Sequence, residues 1–80
     1  NQTNMLFVDA VSDKIGVMTN APTEAVDINS DAIRIRTAQT PASSNNTAVG
    51  WGAGTIAWDA NYIYVAANTT HIVRAALSTF

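Results

Sequence analysis

The chain has 80 residues, 48% of them apolar and 12% charged, with four Lys or Arg against six Asp or Glu and a net charge of −2. An ordinary soluble domain carries about 25% charged residues. The balance leaves no basic patch for a phosphate backbone, so nucleic acid is excluded as an expected partner, and no apolar run approaches the ~20 residues of a membrane span.

Helix signals are weak along the chain, and Asn, Thr, Asp, Ser and Gly punctuate short apolar runs. Met5-Leu6-Phe7-Val8 and Ile15-Gly16-Val17-Met18 are two such runs, separated by the polar turn Ser12-Asp13-Lys14. Short strands at a spacing of about ten residues read as all-β. Asn20-Ala21-Pro22-Thr23-Glu24 carries the best local helix signal, with Asn20 as cap and Pro22 and Glu24 in a first turn. One helical turn at most is expected there before Ala25-Val26-Asp27-Ile28 reads as a strand. Asn29-Ser30-Asp31 is turn chemistry.

Ala32 to Thr37 alternates, with Ile33 and Ile35 on one side and Arg34 and Arg36 on the other. A period of two predicts a strand with one buried face. Ala38 to Ala48, rich in Thr, Ser and Asn, has no period and reads as a long loop. Three glycines surround Trp51 and Ala53 before the next strand. From Thr55 a three-stranded meander is predicted: Thr55–Trp58, Tyr62–Ala67 and His71–Leu77. Its turns are Asp59-Ala60-Asn61 and Asn68-Thr69-Thr70. Ile56 and Trp58 share one face of their strand. In the second strand Tyr62 and Tyr64 share one face, while Ile63 and Val65 share the other. Apolar residues on both faces imply that both are covered.

A chain this short buries only about 60% of its unfolded surface. Small folds are held by disulfides, a metal or partner subunits. Cysteine is absent and His71 is the only histidine, so no disulfide, metal site or other cofactor is expected. Self-association is the remaining device. Ile33, Ile35, Ile56, Trp58, Val65 and Leu77 are the expected oligomer core.

Two stretches resemble viral structural proteins. Phe7-Val8-Asp9, Ile15-Gly16-Val17 and Asn20 through Asn29 look like the phage tail-fibre pattern V-G-I-G-T-x-x-P-x-x-x-L-D-V-x-G. Here Met18 replaces the second glycine, Val26 the leucine and Ser30 the final glycine. Ile33 to Thr37, Thr40-Pro41-Ala42-Ser43, Gly54 to Val65 and Arg74 to Phe80 are similar to a C-terminal module of phage appendage proteins. That module carries G-D-I-x-W-D-x-N-Y-I-Y-V and ends R-A-A-L-S-T-W. The chain departs from it between Asn68 and Arg74, where Thr70-His71-Ile72-Val73 stands near an expected Trp-Lys. The resemblance implies a virion-surface, extracellular fibre built as an intertwined homotrimeric β stalk followed by a small β-meander tip. It places a stalk-like segment at 1–37, a Ser/Thr/Asn/Gly-rich loop at 38–54 and the meander at 55–80, with Phe80 near the C-terminus. Implied partners are further copies of the chain, other virion proteins and host surface polysaccharide.

Chemistry-bearing residues each have a plainer reading. Asp9 with Asp13 and Asp27 with Asp31 are carboxylate pairs, but each sits in a turn context where Asp bonds local backbone. No enzyme activity is expected, since nothing supplies a nucleophile, a base and a charge-holding site together. Arg34, Arg36, Trp51, Tyr62 and Tyr64 are the candidate glycan contacts, because Trp and Tyr stack on sugar rings and Arg meets anionic groups. Of Trp51, Trp58, Tyr62 and Tyr64, Trp51, between glycines, is the one expected to be exposed, and packing is the expected role of the other three. Asn1-Gln2-Thr3, Asn45-Asn46-Thr47 and Asn68-Thr69-Thr70 match the N-glycosylation pattern and are given no role. Three functions follow: a structural fibre module, a glycan-binding receptor tip, and a capsid or tail decoration protein.

Overall fold

A computed structural model describes residues 5–80. The chain is all-β. Its elements are β1 Leu6–Asp9, β2 Lys14–Val17, β3 Val26–Ile28, the short helix α1 Asn46–Val49, β4 Ile56–Trp58, β5 Tyr62–Ala66 and β6 Ile72–Ala76. They form two compact units, Asn1–Ile33 and Arg34–Phe80. Each holds one three-stranded sheet, in the orders β1-β2-β3 and β4-β5-β6. No helix among the described residues is long and apolar enough to cross a membrane.

In the first unit β1 and β2 pair antiparallel. The turn between them is set by Asp9, whose Oδ1 accepts the N–H groups of Val11 and Ser12 and whose Oδ2 accepts the Ser12 hydroxyl at 2.6 Å. Asp13 completes the turn at φ 59°, the left-handed region that Asp tolerates better than most residues. Hairpin pairing alone would be the simplest reading of this segment, but β3 runs parallel to β2. The connection from Met18 to Ala25 therefore crosses back over the sheet. Met18, at φ 64°, starts the reversal. Asp27 ends it by accepting the Thr23 N–H and hydroxyl. No helical turn forms over Asn20–Glu24; bends replace it. The Asp27 carboxylate holds the backbone there instead.

Gly16 permits this path. A Cβ at Gly16 would collide with the Thr19 carbonyl oxygen and lie 2.9 Å from Thr19 Cγ2. The crossover thus covers the face that holds Phe7, Gly16 and Asp27. The register places Leu6, Val17 and Ile28 in one row of the opposite face and Val8, Ile15 and Val26 in the next. All six are aliphatic. Leu6, Val8 and Val26 are 69%, 65% and 60% exposed.

In the second unit the two hairpins are closed by side chains. Asp59 Oδ1 accepts the N–H groups of Asn61 and Tyr62, both at 2.9 Å. Asn68 Oδ1 accepts the N–H groups of Thr70 and His71 and the Thr70 hydroxyl. One face of the sheet carries Tyr64, Ala66 and Ile72, which are buried, and Val49, Trp51 and Tyr62 pack against them. The segment read as loop supplies this cover through α1. Asn45 caps α1 by accepting from Thr47 and Ala48, and Gly50 ends it at φ 79°. Asn46 is buried and donates through Nδ2 to the Asn68 carbonyl at 2.7 Å. The other face holds the rows Ile56–Val65–Val73 and Trp58–Ile63–Ala75. Again every member is apolar, and Ile56 and Val73 are 56% and 51% exposed.

The expected strand over Ala32–Thr37 does not form. Alternation sorts side chains to two sides, but a strand also needs a ladder neighbour, and no described strand pairs with this segment. Its contact is with β4 instead: Trp58 Nε1 donates to the Ile35 carbonyl at 2.8 Å, and Gln39 N–H donates to the Trp58 carbonyl at 2.8 Å.

Replacing Gly16 with Ala pushes a methyl group into the Thr19 backbone. Overpacking of this kind costs about 1–3 kcal/mol. Urea unfolding of Gly16→Ala is expected to show that loss, and an unchanged midpoint would mean the crossover does not lie over β2.

Candidate functional site

The second unit gathers most of the polar chemistry on the covered side of its sheet. Its centre is Asp59, at the end of β4. Besides the two turn N–H groups, its Oδ2 accepts the Thr40 hydroxyl at 2.6 Å and the Tyr64 hydroxyl at 2.5 Å. One carboxylate thus ties the hairpin turn to β5 and to the incoming segment at Thr40. The Thr40 and Tyr64 bonds, followed by those from the backbone, hold the Asp59 carboxyl well below the usual carboxylate range. The same Asp59 contact raises the Tyr64 phenol, because losing that proton would set two anions against each other.

Beside this network lies a cavity of about 350 Å³, lined by Thr40, Pro41, Ser43, Ser44, Tyr64, Ile72 and Arg74. That is near the lower bound of small-ligand sites, about 300 Å³. Arg74 on β6 sits opposite Tyr64 in the register. Its guanidinium carbon lies 4.1 Å from the centre of the Tyr62 ring, within cation–π range. The Tyr62 and Tyr64 rings are 5.9 Å apart and tilted by 48°.

The five expected glycan contacts are placed unevenly. Tyr62 and Tyr64 meet on one face, and Trp51 packs on the same cluster. Tyr64 is only 4% exposed and its hydroxyl donates to Asp59, so it offers no free ring face. Trp51 is half-buried, as are Trp58 and Tyr62. Arg34 and Arg36 lie exposed on the unpaired segment. The cation that does reach the aromatics is Arg74. Its signal was the face it shares with Ile72 and Ala76 in the alternation of β6, but only the β5–β6 register puts it beside Tyr62 and Tyr64.

The six expected oligomer-core residues also divide. Ile56, Trp58 and Val65 share the open face of the second sheet, and Leu77, one residue past β6, continues its alternation and keeps a ladder bond to the Asn61 carbonyl. Ile33 and Ile35 lie outside any strand and are exposed. Within one chain Trp58 and Val65 are half-buried and the other four are exposed. The carboxylates Asp9 and Asp27 are engaged in the turn bonds described above. His71 is exposed, with Nδ1 2.8 Å from the Thr70 hydroxyl. No group of three or more His, Cys, Asp or Glu among the described residues is arranged to hold a metal ion.

No known protein family, curated protein or solved structure matches the chain.

Asp59 has a depressed folded-state pKa, so its stabilisation is complete above the ordinary carboxylate pKa of about 4 and is lost as pH falls through the lower folded value. Asp59→Asn is therefore expected to lower the melting temperature at neutral pH. The gap to the unsubstituted chain should narrow only in strong acid. Melting curves from pH 7 down to about pH 2 test this; a gap already closed at pH 4 would deny Asp59 its role.

Proposed function

We propose that this chain is a structural β module that works as a homo-oligomer, of the kind that builds a viral appendage at the virion surface. One observation carries the oligomer: each three-stranded sheet has one face made wholly of apolar side chains, four of its six exposed in the single chain. Fully burying one such aliphatic side chain is worth roughly 1.5–3 kcal/mol. Covering even part of a six-residue face therefore recovers several kcal/mol, comparable to the roughly 5–15 kcal/mol that stabilises a whole domain.

Further copies of the chain are the occupant that fits. Neither open face presents a charge, so identical faces meet without repulsion, and the net charge of −2 opposes association little. Closed symmetry then buries the same patch on every copy. The copy number of three and the virion setting come from the resemblance to tail-fibre and appendage sequences. They rest on those residue patterns alone.

Light scattering of the purified chain is expected to give one discrete oligomer, of three copies, over a range of micromolar concentrations. A Lys at Val73 adds a charge to the open face without touching the buried cluster. Val73→Lys is expected to weaken association on the order of tenfold or more, since burying an unpaired charge costs at least that much. Small-angle scattering of the oligomer should describe a rod. A folded, stable monomer overturns the oligomer, and a compact oligomer overturns the fibre.

A further inference from the structure

The chain between β3 and α1 runs uncovered. Every residue from Asn29 to Thr40 is exposed, and none of them lies in a strand or helix. The boundary between the two compact units falls inside this stretch, after Ile33. Each three-stranded sheet lies wholly to one side of that boundary. The covalent link there completes neither sheet.

The basic residues are unevenly placed around it. The sequence has four: Lys14, Arg34, Arg36 and Arg74. Lys14 opens β2, is half-buried and stands opposite Asp9 in the ladder. Arg74 lies in the middle of β6, with its guanidinium over the Tyr62 ring. Arg34 and Arg36 lie outside any strand, two residues apart, and no backbone–backbone hydrogen bond among the described residues engages either. One exposed bond tethers the chain between them, from Trp58 Nε1 to the Ile35 carbonyl. A protease must draw the residues around the bond it cuts into its cleft as an extended strand, with backbone groups free to pair. At Arg34 and Arg36 that requires the loss of one exposed hydrogen bond. At Lys14 or Arg74 it requires a whole strand to leave its sheet.

We propose that Arg34 and Arg36 form a processing site for a trypsin-like serine protease, whose specificity pocket carries a carboxylate for a basic side chain. The cut falls on the carboxyl side of either arginine and separates β1–β3 from β4–β6 as two folded pieces. The step is hydrolysis. The bond between the arginine carbonyl carbon and the next residue's nitrogen breaks. The oxygen of one water joins the carbon as a carboxylate, and its two hydrogens join the nitrogen as an ammonium group. Exposure and connectivity carry this site, not the open apolar faces, so it stands or falls separately from the oligomer.

Limited digestion of the full chain with trypsin, followed by mass spectrometry against time, tests the assignment. The first products are expected to end at Arg34 or Arg36, and to form on the order of tenfold or more faster than any cut at Lys14 or Arg74. The nicked protein should keep the circular dichroism spectrum of the uncut chain. Replacing both residues, Arg34→Gln with Arg36→Gln, is expected to remove the early products. Arg34→Lys with Arg36→Lys should retain them, because an ammonium group also meets the carboxylate of the pocket. A first cut at Lys14 or Arg74, early products that persist in the Gln pair, loss of the β spectrum on nicking, or survival of the folded chain under trypsin that digests the unfolded chain overturns the proposal.

Discussion

A three-stranded sheet has two faces, and each unit of this chain has residues enough to cover one. That constraint organises what is seen. In the first unit the cover is the crossover from Met18 to Ala25, which can lie on the sheet because Gly16 has no side chain to hold it off. In the second it is α1 with Val49 and Trp51, laid on Tyr64, Ala66 and Ile72. Once that cover is used, the opposite face keeps only partial cover: Trp58 and Val65 in the second unit, and Val17 and Ile28 in the first, are half-buried, and the other members are exposed. The opposite face is nevertheless apolar throughout. In a protein that stays monomeric, strands exposed on one side alternate apolar with polar residues. Here the polar members of the alternation are missing from the open side, and the polar residues that do occur, such as Asp27 and Arg74, fall on the covered side.

The local devices that hold each cover in place are side-chain acceptors rather than a large core. Asp9, Asp27, Asp59 and Asn68 each accept two or more donors around a turn. Asp59 does most, because its two oxygens serve different tasks: Oδ1 closes the β4–β5 hairpin and Oδ2 anchors Thr40 and Tyr64. With four buried apolar residues among those described, two of them alanine, the chain has little hydrophobic free energy of its own to fix a fold. Turn chemistry supplies the conformation, and in the oligomer proposed above the open faces supply further free energy. Local structure and association are in this sense one problem for this sequence.

Much of this was legible in the residues. Turn-forming residues (Asn, Asp and Ser at most strand ends, Gly before β4, Pro before β3) punctuate the chain, so all six strands lie within a residue or two of where period and punctuation put them. Within strands the period of two also sorted Tyr62 and Tyr64 from Ile63 and Val65 correctly. What was not legible is register and partner. The six-residue aliphatic face of the first sheet combines residues from β1, β2 and a parallel β3, and a parallel return so soon after a hairpin gives no sequence signal. The reverse error came at Ile33 to Arg36, whose alternation was as clean as any but found no neighbour to pair with. The helical turn at Asn46 had its signals, a capping Asn45 and a terminal Gly50, but a four-residue helix is too short for hydrophobic period to show. Arg74 was passed over because charge in a strand reads as a wet side chain until the ring beneath it is known.

Strand geometry then decides how association can leave the other side of one small unit free. Neighbouring residues on β6 point to opposite sides: Val73 belongs to the open apolar face and Arg74 to the cavity. A face given to other copies is thereby separated by one sheet thickness from a cavity that faces away from it. Burying the first does not occlude the second, and neither has to be weakened to accommodate the other. Stabilisation of the sheet by contact on the apolar side would also fix the β5–β6 register on which the Arg74–Tyr62 stack depends.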